Sequence, residues 1–282
     1  MRYLMQREIR PLSDPEFRRF RRLIESESGI HLSEVKKALV TGRLTRRLRQ
    51  LGLGDFTSYL DLVESNGEER TTMIDCMCTN ETRFFREPRQ FEFLDGQILP
   101  HWKELAAAGA MPKRIRAWSA ACSTGEEPYS VAMLLRTHFA EGWRLGILAS
   151  DLSGRAIAAA REGVWPVERA ADIPPHYRRA YMLRGVRSAE GKMHVRPELQ
   201  AMIEFRRINL NDAAYPVDAE FDLIFCRNVL IYFDRETKAA VIERLSRHLA
   251  PGGFLFLGHA ETLTAPAHGL QQAGPAAYLR KG

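Results

Sequence analysis

Residues 117–130 read AWSAACSTGEEPYS: the end of an apolar strand, a loop of small residues, and the opening of a helix. Ile115 to Trp118 can be buried, and Ser119 to Gly125 leave little side-chain bulk where a ligand could lie against backbone. Pro128 suits the first turn of a helix carrying Tyr129, Val131, Ala132, Leu134 and Leu135. Such a loop lies at the carboxyl end of a strand, where open α/β sheets bind their ligands. Working outward, strands are expected at 115–119, 146–150, 203–207, 221–226, 254–258 and 277–280. Helices are expected at 128–139, 154–162 and 235–249, the last closed by Pro251-Gly252-Gly253. Alternation of this kind specifies a doubly wound, mostly parallel sheet. Residues 164–202 are too long for a simple crossover, and their short alternating stretches predict a small antiparallel insertion.

The loop contains one glycine and lacks the G-x-G-x-x-G that lets a pyrophosphate approach backbone amides. It carries Glu126 and Glu127 instead. Acids there repel a phosphate but attract a sulfonium and an amine, which favours S-adenosylmethionine over NAD. At the end of GILAS, Asp151 should emerge at the same sheet edge, where an acid commonly accepts from two ribose hydroxyls. The competing reading is an N-cap for the helix at 154–162, a role Ser153 fills equally well.

Two further stretches bring polar groups to this edge. FDLIFCRNVLIYFD (221–234) delivers Arg227 and Asn228 where its apolar run stops, without the N-P-P-Y expected of an amine methyltransferase. NETRFFREP (80–88) mixes hydrogen-bonding residues, two phenylalanines and two arginines in a way no flexible linker needs, and Arg86 is a natural fork for a carboxylate.

The chain has 282 residues, 45% of them hydrophobic, enough for one substantial core and a small accessory domain. Its formal charge of +6 is concentrated in residues 1–55, which hold 13 Lys and Arg against 7 Asp and Glu. That region predicts a small helical domain. Asp14-Pro15 opens a first helix stopped at Gly29, Ser33 caps a second ending near Gly52, Asp55 starts a third, and 69–78 form a fourth. No aromatics interleave with its arginines, so an acidic protein helix is a better partner than nucleic acid. No run approaches the ~18 apolar residues of a membrane span, and MRYLMQREIRPLSDPE has no apolar segment behind its charges. A cytoplasmic protein without membrane insertion is therefore expected. Cys76, Cys78, Cys122 and Cys226 form no C-x-x-C pair, so neither metal site nor disulfide framework is expected.

NETRFFREP, WSAACSTGEEPYS, ASDLS, FDLIFCRNVLIYFD and PGGFLFLGHAET, in this order, closely resemble the CheR-type chemotaxis receptor glutamate O-methyltransferases over nearly the whole chain. The resemblance implies an all-α domain over 1–79, a linker contributing to the active site over 80–94, and a methyltransferase domain over 95–282. That last domain is a Rossmann-like S-adenosylmethionine-dependent methyltransferase sheet with a β-subdomain inserted at about 164–202. By resemblance, Asn80, Thr82, Arg86, Glu126, Asp151, Asn209, Leu210, Arg227 and Asn228 would bind the cofactor, leaving S-adenosylhomocysteine as product. Arg86 and Tyr232 would act on the substrate side, and Arg46, Arg47 and Arg49 would capture the glutamate-rich cytoplasmic helices of transmembrane chemoreceptors. In some members the β-subdomain grips a receptor C-terminal peptide. This chain keeps Arg184-Gly185 and Glu190-Gly191 but places Arg187 and His194 where tethering members carry other residues. A monomer is expected. The rival enzyme reading is a methyltransferase of the same fold acting on RNA or another non-receptor substrate.

Overall fold

The computed structural model describes residues 9–139, 141–261, 263 and 269–281. Arg2 and Arg7 of the basic tally and Thr262 of the last motif lie outside them. The chain divides into two units, Met1–Thr79 with Tyr232–Thr237, and Asn80–Ile231 with Lys238–Gly282.

The first unit packs four helices, α1 (Asp14–Ser28), α2 (Lys37–Leu51), α3 (Phe56–Ser65) and α4 (Gly67–Met77). Ser13, not Asp14, caps α1: its hydroxyl and the Glu16 carboxylate exchange hydrogen bonds with each other's backbone in a capping box, and Asp14-Pro15 fall in the first turn. Gly29 and Gly52 end α1 and α2 with φ of 71° each, a conformation only glycine adopts without strain. Ser33 precedes a 3₁₀ turn (Glu34–Lys36) that leads into α2. Asp55 caps α3 through Ser58 N. Phe17, Phe20, Ile24, Val40, Leu44, Leu48, Tyr59 and Leu60 recur at helical spacing and are fully buried.

Two carboxylates lie inside this unit. Glu16 accepts from Ser13, from Thr57 Oγ1 at 2.7 Å and from Arg10 at 2.7 Å. Burial alone would raise its pKa, but these donors outweigh burial and bring it to about 2. Glu69 accepts Arg47 Nε and Nη2 at 2.9 and 2.6 Å and Tyr59 Oη at 2.8 Å; the arginine holds its pKa below the usual range.

The second unit opens with α5 (Pro88–Phe93), a π-helical turn (Leu94–Ile98) and α6 (Leu99–Ala107), none of which the sequence pattern had resolved. There follow β1 (Arg114–Ala120), α7 (Glu126–His138), β2 (Arg144–Asp151), α8 (Gly154–Glu162), β3 (Val164–Pro166), α9 (Pro175–Tyr181), β4 (Met182–Arg184), β5 (Lys192–Val195), α10 (Pro197–Gln200), β6 (Ile203–Arg207), β7 (Phe221–Cys226), α11 (Arg235–Arg247, whose first three residues count with the helical unit), β8 (Leu249–Leu257), β9 (Leu270–Gly274) and β10 (Ala277–Arg280). The main sheet runs β6-β2-β1-β7-β8-β10-β9, parallel except for β10, and β3-β5-β4 form a separate antiparallel sheet. Pro251-Gly252-Gly253 does not close a helix: α11 stops at Arg247, and the triplet lies within β8, where the register with β7 shifts between Phe221 and Leu223. β9 completes a hairpin that the sequence reading did not resolve.

The polar strand ends define the working edge. β1 lies between β2 and β7, so the strand order reverses there and the loops after β1 and β7 diverge. Trp118 is fully buried and donates to Ser150 Oγ at 2.9 Å, tying β1 to β2 one residue before Asp151.

Candidate active site

The loop from Ala121 to Gly125 folds over the end of β2. Ala121 N and Cys122 N both donate to Ser150 O at 2.8 Å, and Ser123 N donates to Asp151 Oδ2 at 2.8 Å. This path puts Ala121 and Ser123 at φ of 82° and 49°, values that cost a side-chain-bearing residue energy and recur at functional sites. Gly125 adopts φ 98°, and a Cβ there would stand 2.9 Å from Ala160 Cβ; the single glycine of the loop brings α7 down onto α8. Small residues therefore serve close backbone packing, leaving α7 to begin with two acids.

Those acids diverge. Glu126 is buried and accepts Thr124 Oγ1 at 2.7 Å. Glu127 turns inward, accepting Ser119 Oγ at 2.7 Å and Arg227 Nη1 at 3.1 Å. Burial pushes its pKa up even though Arg227 pulls the other way. Asp151 accepts from Ser153 N at 2.9 Å as well as from Ser123 N, so it braces the β1 loop from below, while the N-cap of α8 falls to Ser153, whose hydroxyl accepts from Ala156 N. Asn209 Oδ1 accepts Asn211 N at 3.0 Å, and Leu210 O receives Tyr215 Oη and Arg244, shaping the turn after β6 beside the end of β2, where Ile208 N donates to Asp151 O.

The 80–88 stretch is fixed to this unit along its length. Asn80 O accepts Ser123 Oγ at 3.2 Å and Thr82 O accepts Arg169 at 2.9 Å. Phe84 packs edge-on against Trp165 at 5.0 Å, and Phe85 stacks on Tyr177 at 5.2 Å. Phe85 N donates to Ser130 Oγ, itself bonded to Glu126 O. Arg86 is half-buried, with one Nη1 bond to Glu81 O at 3.0 Å.

Arg227 reaches the sheet edge buried, with its two terminal nitrogens bonded to the protein and its Nε without a partner among the described residues. It lies 3.3 Å from Glu87, 3.1 Å from Glu127, and also donates to Arg86 O. Asn228, at φ 59°, donates from Nδ2 to Glu87 Oε1 at 3.2 Å. Burial pushes the Glu87 carboxyl up, but Arg227, Asn228 and His259 together hold it low. Glu87 and Glu127 thus join the site's framework, as does Glu261, whose carboxylate accepts Asn228 N at 2.7 Å; the sequence takes Glu127 with Glu126 as acids facing the donor and singles out neither Glu87 nor Glu261. Glu87 lies within NETRFFREP and Glu261 within PGGFLFLGHAET, so both stood in stretches the sequence marks, but nothing in either stretch signals a bracing role for the acid.

Other expected residues lie in the helical unit. Tyr232 O accepts His31 N at 2.8 Å, and Lys36 Nζ stands 6.0 Å from its ring centroid. Arg46 and Arg49 are exposed on α2, whereas Arg47 is held by Glu69 and so is not a free cation.

A parallel sheet with a small-residue loop after β1, an acid ending β2 and no phosphate-binding glycine pattern defines an S-adenosylmethionine-dependent methyltransferase of the Rossmann-like class. CheR methyltransferase, SAM binding domain, matches residues 80–277, and CheR methyltransferase, all-alpha domain, matches 15–78. The chain belongs to the CheR family. It is 36% identical to the chemotaxis protein methyltransferase of Borreliella burgdorferi (95% of this chain, 95% of the relative). It is 40% identical to that of Escherichia coli K12 (93% and 89%) and 38% identical to chemotaxis protein methyltransferase 2 of Pseudomonas aeruginosa (93% and 92%). The protein is an S-adenosylmethionine-dependent methyltransferase of chemotaxis. The edge fits such a donor: the helix that would face an anion begins with two carboxylates, Glu126 and Glu127. No described helix is long and apolar enough to cross a membrane.

Proposed function

We propose that the enzyme methylates glutamate side chains on the cytoplasmic helices of transmembrane chemoreceptors, working as a cytoplasmic monomer. The observation that carries this reading is that both modules match the family together, the basic helical one as well as the one that binds the methyl donor. S-adenosylmethionine supplies an electrophilic methyl on a sulfonium and leaves as the neutral thioether. A glutamate carboxylate is already nucleophilic at neutral pH, so the protein need only orient it and compensate its desolvation. Arg86 and Tyr232 take that role. Asn80, Thr82, Glu126, Asp151, Asn209, Leu210 and Asn228 line the donor's place, with Arg227 holding the linker from behind. Arg46 and Arg49 attract the glutamate-rich helices. A receptor C-terminal peptide adds to β4 in this reading, an edge strand that carries the exposed Leu183 and is followed by the exposed Val186.

The test is transfer of a labelled methyl to membranes containing receptors, with total RNA in parallel. A base-labile product on the receptor is expected; label on RNA alone, or a base-stable methylamine, would reject the reading. Arg86→Ala and Tyr232→Phe should each slow transfer by roughly 10- to 100-fold while calorimetric affinity for S-adenosylhomocysteine changes little. Unchanged rates in both would remove these two assignments.

A further inference from the structure

Glu261 has no exposed surface, yet its carboxylate makes no contact with another charged side chain among the described residues. Its Oε2 accepts Asn228 N at 2.7 Å and Gly258 N at 2.8 Å, and its Oε1 accepts Ile231 N at 3.1 Å. Three main-chain amides from the turns after β7 and β8 thus converge on one buried acid. Gly258 is cut to fit it: a Cβ there would lie 2.6 Å from Glu261 Oε2 and 3.0 Å from Asn228 N. A carboxylate accepting several backbone donors is a strong anchor, since each bond is charge-assisted. The turn it anchors is one the backbone does not favour, because Asn228 is held at φ 59°.

That turn grips the linker. Asn228 Nδ2 and His259 N both donate to Glu87 Oε1, Arg227 pairs with Glu87 Oε2, and Arg227 donates to the carbonyl of Arg86 itself. We propose that Glu261 is a positioning residue for methyl transfer: by pinning the Asn228–Ile231 turn it fixes the Arg86-Glu87 backbone, and with it the direction in which the Arg86 guanidinium meets the acceptor. The inference rests on the acceptor-side role of Arg86 and goes beyond it by naming what aims that arginine.

The experiment is a double-mutant cycle between Glu261→Gln and Arg86→Ala, measured as kcat for receptor methylation well below the melting transition of every variant. Glutamine keeps the volume but points a donor at an amide. Glu261→Gln is expected to lower kcat roughly 10- to 100-fold in the parent and less than about threefold when Arg86 is already alanine. An equal loss in both backgrounds, with Arg86→Ala itself slow, overturns the inference and leaves the Arg86 assignment standing. An Arg86→Ala enzyme as fast as the parent sinks that assignment, and this inference with it. Should Glu261→Gln fail to fold, Asn228→Gly gives the same reading: it keeps the positive φ and the amide for Glu261 but deletes the bond to Glu87. Its loss should likewise shrink in the Arg86→Ala background, and an undiminished loss there overturns the proposal.

Discussion

Glycine at position 125 shows how one hydrogen atom in place of a methyl sets the site. Gly125→Ala must place Cβ 2.9 Å from Ala160 Cβ and 3.3 Å from Tyr129 while keeping φ at 98°. The cost is about 1–3 kcal/mol, and the β1 loop must lift off Ser150 and Asp151. Lower affinity for S-adenosylhomocysteine by calorimetry and a lower denaturant midpoint are expected together; loss of stability with unchanged affinity would detach the glycine from the donor site. Neighbouring arginines on α2 differ as sharply. Arg47→Ala takes two charge-assisted bonds from Glu69, which is largely buried and retains Tyr59 Oη as a donor, so with Arg47 itself a quarter exposed a cost of about 2 kcal/mol is expected. Arg46→Ala and Arg49→Ala should move the midpoint by less than about 0.5 kcal/mol.

Helix α1 carries a pH prediction through its cap. The folded Glu16 pKa of about 2 lies below its ordinary value of 4.5, so ionised Glu16 stabilises the fold above the ordinary value. This contribution declines as pH falls from 4.5 toward 2 and the carboxylate protonates. The melting-temperature gap between the parent and Glu16→Gln should be full at neutral pH and close across that window; a gap that is constant with pH would show that the capping box contributes no charge-dependent stability. Elements differ in how plainly the sequence announces them. α8, β6, β7 and β10 were legible to the residue, because apolar runs there end in Gly, Ser or charge. α5 and α6 were not: Phe91, Leu94, Ile98 and Trp102 recur at helical spacing, but Gly96 and Pro100 interrupt the run and read as loop residues, where the structure instead widens into a π-helical turn at 94–98 and restarts with Pro100 in the first turn of α6. β8 was misread at its start because Pro251-Gly252-Gly253, normally a helix stop, is absorbed as an irregularity of strand pairing.

The charge excess of residues 1–55 falls in the helical unit, and the proposed function assigns it to receptor capture and not to the methyl donor. Replacing Arg46 and Arg49 together should weaken receptor capture and flatten its dependence on ionic strength, leaving donor affinity intact. If capture and its salt dependence persist, these arginines are merely solvated. The candidate site was legible as a set of loops, because polar residues at strand ends mark the edge of an α/β sheet. Its inner bracing was not, because Glu87, Glu127, Arg227 and Glu261 meet only after folding: Asn228 reaches Glu87 across 141 residues and His259 reaches it across 172. The same separation dictates an order of events in the cell. A chain leaving the ribosome can pair β1 with β2 and seat the small-residue loop early, but the Arg86 carbonyl and the Glu87 carboxylate gain Arg227 and Asn228 only when those residues emerge, and Asn228 is locked only when Glu261 follows. Nascent chains truncated before residue 227 should therefore be unable to assemble a competent catalytic edge, which keeps methyl transfer a property of finished molecules alone.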